Sequence, residues 1–106
     1  LDDPALSAPA LFNYIDARDV AAFADALLDA LDDIPNGERF FVGADDALAR
    51  RPLSELLPQF HPGTARAAAE LTGTAPAFSS AKAARLLGWR AARTWRTELA
   101  AGRALL

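Results

Sequence analysis

Few residues of this 106-residue chain are of types that do chemistry, and their neighbours decide what each can do. Tyr14 and Arg18, in "YIDAR", have the spacing at which a tyrosine and a cation could share a proton relay. Arginine keeps its proton throughout the accessible pH range, so this pair cannot cycle one as tyrosine and lysine can. Arg18 fits better at the start of a helix. His61, the only histidine, lies in the turn "FHPGT" without a carboxylate or hydroxyl partner beside it, which makes it a poor general base. Asp45 and Asp46, in "GADDA", would need several more oxygens at fixed spacing to hold a hard cation. Capping or solvation is their expected role. "FVGADD" offers one glycine after a strand candidate, short of a phosphate-cradling G-x-G-x-x-G loop. Trp89 and Trp95 stand among arginines and could stack on bases, but helical spacing beside leucines fits core packing.

The elements that would position these residues follow from periodicity and punctuation. Residues 1–10 contain two prolines and little pattern, and read as a loop or ragged end. "FNYID" (12–16) and "ERFFVG" (38–43) read as short strands, aromatic and β-branched residues leading into turns. Between them Val20, Phe23, Leu27 and Leu31 recur at steps of three and four, which predicts a helix over 19–32 capped by Asp19 and stopped by "DDIPNG". Pro52 can open a second helix carrying Leu53, Leu56, Leu57 and Phe60, with a kink or stop expected at Pro58. "ARAAAEL" gives a short helix. "SSAKAARLLGWR" (79–90) gives another, capped by Ser79 or Ser80, with Ala83, Leu86 and Leu87 inward. It should end at a left-handed Gly88, with Trp89 folding back on its last turn. Thr94 starts a final helix with Trp95 and Leu99 inside. The expected fold class is α+β, mostly helical with two or three short strands.

Composition and charge bound the rest. Of the apolar residues 26 are alanine, so the bulky core must come from Leu, Phe, Trp, Val and Ile. The chain has no cysteine, which excludes disulfides and thiolate metal sites and fits a cytoplasmic location. No apolar run is long enough to cross a membrane, and the acidic start is not that of a signal peptide. A chain that opens with Leu1 and lacks methionine reads as a fragment or processed product. Residues 1–46 hold eleven acids against Arg18 and Arg39, whereas residues 80–103 hold Lys82 and five arginines against Glu98 alone. Such asymmetry can mark a nucleic-acid surface, but no nucleic-acid motif accompanies it, and that partner is disfavoured.

Four stretches, "NYIDARDVA" (13–21), "ERFFVGADD" (38–46), "RPLSELLPQFHPG" (51–63) and "FSSAKAARLLGWR" (78–90), resemble in order and separation the C-terminal part of an NAD-dependent epimerase/dehydratase, the extended branch of the short-chain dehydrogenase/reductases. The resemblance runs from about Leu11 to Glu98. It implies that residues 11–106 are a substrate-side lobe acting on a sugar or small hydroxy or keto compound, in an oxidoreductase or isomerase that uses NAD or NADP. It places Phe12, Tyr14 and Phe78 towards the substrate. The glycine-rich loop and the Tyr-x-x-x-Lys pair of that family lie outside this sequence. No catalytic or cofactor-binding residue is therefore expected in the chain, which alone would be inactive and bind no cofactor. Phe12 stands where nucleotide-sugar enzymes tend to have an arginine, which disfavours a nucleotide-sugar substrate. The implied partner is the missing N-terminal nucleotide-binding domain, and without it helix 19–32 should drive self-association. The alternative is a free-standing binding or dimerisation module without redox chemistry.

Overall fold

Asp16, rather than Asp19, starts the first helix. Its carboxylate accepts from the Arg18 N–H at 2.8 Å, and α1 runs over Ala17–Asp29. Asp19 falls in the first turn and is buried, at 2% exposure, because its side chain is used elsewhere. The computed structural model describes residues 1–105. Among them are α1 and four further α-helices, α2 (Leu53–Phe60), α3 (Ala65–Ala68), α4 (Ala81–Leu87) and α5 (Trp95–Leu105), with three 3-10 turns and no strand. The expected α+β class is thus overturned: the described chain is all helical.

The physical reason lies in what the two strand candidates meet. A strand needs a neighbouring strand to take its backbone groups. Residues 38–43 are instead served by side chains. The Ser80 hydroxyl donates to the Gly43 carbonyl at 3.2 Å and accepts from the Gly43 N–H at 3.1 Å. The Lys82 ammonium donates to the Arg39 carbonyl at 2.9 Å. Residues 12–14 lie along 46–48, joined by the Leu48 N–H to the Phe12 carbonyl at 2.8 Å and by the Tyr14 hydroxyl donating to the Asp46 carboxylate. Aromatic and β-branched content made both stretches look like strands, yet that preference expresses packing on a pleated sheet, and no sheet is there.

The chain folds as two units, Leu1–Tyr14 with Asp46–Phe78, and Ile15–Asp45 with Ser79–Leu106. The first unit is built on α2 and α3, with two 3-10 turns over Pro4–Leu6 and Ala8–Ala10. Its core gathers Phe12, Leu53, Leu56 and Leu57 with Ala8, Ala47, Ala49 and Ala68. Phe12 is wholly buried and meets Phe60 edge-on at 6.2 Å between ring centres. α2 passes through Pro58 and ends two residues beyond, where the His61 N–H reaches the Leu57 carbonyl at 2.7 Å. A proline so close to the end removes one donor, and too little helix follows for a break to matter.

The second unit is organised around α1, α4 and α5. Phe23 meets Trp89 at 5.4 Å and Phe40 at 5.8 Å, both edge-on, and the Lys82 ammonium lies 5.3 Å from the Phe40 ring centre. α4 ends as its sequence predicts: Gly88 is left-handed at φ 68°, its N–H bonds the Ala84 carbonyl and the Trp89 N–H the Ala83 carbonyl. Ser79 accepts from the Ala81 N–H, while Ser80 is occupied with Gly43. Thr94 and Thr97 exchange side-chain bonds at the start of α5. Two inward assignments fail: Leu86 and Leu99 are exposed.

Trp89 is 5% exposed and its indole N–H donates to the Asp19 carbonyl at 3.1 Å. Trp89→Ala should therefore lower stability by about 3–5 kcal/mol in denaturant melts. A change under about 1 kcal/mol would mean that the ring carries little of the packing.

Candidate functional site

A buried polar group that is free to react stands out by lacking partners. Asp19 is engaged through both carboxylate oxygens. Its two carboxylate oxygens accept from the Ala92 N–H at 3.1 Å and the Arg93 N–H at 3.0 Å, and the Arg93 guanidinium stands 3.6 Å away. Asp46, also buried, accepts from Tyr14. Among the described residues no buried side-chain nitrogen or oxygen lacks a partner. These carboxylates tie segments together.

Each residue singled out in the sequence has a place. Tyr14 is half-buried and bonded to Asp46, while Arg18 turns to Asp16 and Glu98, at 2.7 and 3.0 Å, so the tyrosine–cation pair does not form. His61 Nε2 lies 2.8 Å from the Ala8 carbonyl. A carbonyl can only accept, so Nε2 carries the proton and the ring pins the 3-10 turn Ala8–Ala10 to the end of α2. Phe12 is core and Phe78 is partly exposed. Trp95 is half-buried under the Arg96 guanidinium, 4.3 Å above its ring. Asp45 is exposed beside the buried Asp46, and no group of three or more His, Asp or Glu among the described residues could hold a metal ion.

An ionic cluster gathers at the start of α1: Arg18 with Asp16 and Glu98, and Arg93 with Glu98 at 3.8 Å and with Asp19. The hydrogen bonds from the Arg18 side chain and backbone hold the Asp16 carboxyl well below the usual carboxylate range. The same bond to Asp16, followed by that to Glu98, pushes the Arg18 guanidinium upward. These groups cap a helix and join α5 to it.

The surface outside the cores is more distinctive. The buried side of α1 is Asp19, Phe23, Ala26 and Leu27, not the stripe that began at Val20 and ended at Leu31. Val20, Ala24 and Leu28 recur at steps of four along an exposed edge, and Leu31 follows in the 3-10 turn Leu31–Asp33. Val20 is 41%, Leu28 65% and Leu31 55% exposed. Beside the end of α1 a groove of about 220 Å³ is lined by Leu27, Leu31, Ile34, Pro35, Gly37 and Phe40, with Asn36 and Glu38. Asp32 and Asp33, between the lining residues Leu31 and Ile34 in sequence, are exposed, as is Asp29 at the end of α1, and none of the three has a cation partner among the described residues. The groove escaped the sequence reading, although one signal was present: residues 19–38 contain not a single Lys or Arg.

No family model, curated protein or solved structure matches this chain. With no match and no strand among the described residues, the resemblance to an epimerase/dehydratase lobe is not sustained. The substrate-binding role and the oxidoreductase or isomerase assignment that rested on it fall too. No helix among the described residues is long and apolar enough to cross a membrane.

The Asp16 geometry makes its contribution pH-dependent. Its folded value lies below the ordinary 3.8, so the stabilisation is complete above that pH and is lost as pH falls from there towards the folded value. Asp16→Asn keeps a capping oxygen but does not ionise. The stability gap between parent and variant, from urea melts at stepped pH, should be constant near neutrality and shrink below about pH 4.

Proposed function

We propose that this chain is a binding module whose work is association, by self-pairing first, and that it carries no redox chemistry. The observation that supports this most directly is the exposed apolar edge of α1, Val20, Ala24, Leu28 and Leu31, continuing into the groove that Leu31 also lines. Exposed leucines scattered singly need no explanation, but a row at helical spacing running into a groove is the pattern of a contact surface. The groups that could do acid–base work are meanwhile engaged: Asp19, Asp46 and His61 each hold a distant segment of their own unit. A symmetric pair is the commonest way for such a surface to be covered.

Light scattering over a concentration series tests the reading. The mass should rise from 11.2 kDa towards twice that value, and Leu28→Asp should hold it at the lower one with an unchanged helical circular dichroism. A parent chain monomeric at every concentration overturns the proposal.

The same reading includes an absence of nicotinamide binding. Gly43 is followed by Ala44, Asp45 and Asp46 with no helix starting there, so no backbone N–H cluster faces a pyrophosphate at that glycine. Calorimetric titration with NAD(H) and NADP(H) should give no saturable heat, and micromolar binding would refute this part.

A further inference from the structure

We infer that the groove at the end of α1 receives Leu86 of a second copy, with Arg85 and Arg90 of that copy meeting Asp32 and Asp33 beside it. The inference rests on the self-pairing proposed above and supplies its recognition chemistry.

The groove's size and charge select the occupant. At about 220 Å³ it is below the roughly 300–1,000 Å³ of pockets that enclose small molecules. It suits one aliphatic side chain of a partner. Its lining is apolar apart from Asn36 and Glu38, and the Glu38 carboxylate is already paired with the Lys82 ammonium. Asp32 and Asp33, both exposed, fall between the lining residues Leu31 and Ile34 in sequence, just past the negative end of α1, whose last turn carries no basic residue. Acids at that end of a helix are unfavourable, and a cation brought there relieves them. The fitting partner is an aliphatic side chain flanked by cations.

The chain presents one. Leu86, 43% exposed on α4, stands between Arg85 and Arg90 in sequence, both exposed and without an acidic partner among the described residues. The other exposed leucines fit less well: Leu99 adjoins Glu98, and Leu6 has no basic residue near it in sequence. Groove and knob belong to the same unit, so each copy offers both, and a two-fold pair would use each twice and close.

A charge swap tests this. One variant carries Asp32→Lys and Asp33→Lys; the other carries Arg85→Glu and Arg90→Glu. Each alone should pair at least about tenfold more weakly than the parent in sedimentation or light scattering, since like charges then face each other. Mixed in equal amounts they should recover pairing, because in the mixed dimer both contacts regain opposite signs. Leu86→Ala, a milder change, should also weaken the parent pair by about tenfold. If the parent pairs but the mixture recovers nothing, or Leu86→Ala pairs as the parent does, this inference falls and the self-pairing stands. A parent that never pairs overturns both. A mass climbing past the dimer means head-to-tail chains and overturns the two-fold form.

Discussion

The second unit depends on one buried carboxylate. Removing Asp19 from water costs several kcal/mol, and only multiple donors offset that. They come from the 92–93 backbone and the Arg93 side chain, while the carbonyl of the same residue accepts from Trp89. One position of α1 thus fixes the whole stretch after α4. The constraint works both ways. Trp89 reaches its place against Phe23 because Gly88 turns left-handed, and its indole N–H is satisfied because Asp19 is helical there. A polar residue in the core of a small unit is costly, but it admits one arrangement where alanines and leucines alone would admit several.

The same economy of side-chain stitches explains how an all-helical chain holds extended segments without a sheet. Ser80 closes both backbone groups of Gly43, and Tyr14 with Asp46 joins the two chain segments of the first unit. Each stitch joins residues more than thirty apart in sequence. Where a ladder would spread its bonds along a strand, here one hydroxyl or carboxylate does the joining.

How much of this was legible follows from the range of each interaction. The α2 stripe of Leu53, Leu56 and Leu57 and the left-handed end of α4 were readable, since both are set by neighbours within two turns. The start of α1 was misplaced because Asp16 and Asp19 both suit a cap, and a cap and a buried tie look alike in a single sequence. The strands over 12–16 and 38–43 were mistaken because residue type reports suitability for a sheet, while partners decide whether one forms. The resemblance erred in the same way, as it rested on short runs whose helical parts are present and whose strand parts are not. The surface edge of α1 was hidden by its own alanines: the apolar arc, opposite Arg18, Asp25 and Asp29, is wide enough to hold both a buried and an exposed part, and only burial shows Phe23 inward and Leu28 outward.

Alanine content also links the fold to the surface reading. With small side chains over much of the interior, eight residues form the core of the first unit and four of them are alanine. Such cores bury little area per residue, so stability leans on polar ties between distant segments. Asp19, Asp46, Tyr14 and His61 are all used in this way. The larger side chains left outside, Leu28, Leu31 and Leu86, bury apolar area only when a second surface arrives. The proposed association would be the counterpart of a sparse core: the apolar area that the units do not bury in themselves is the area that a partner would cover.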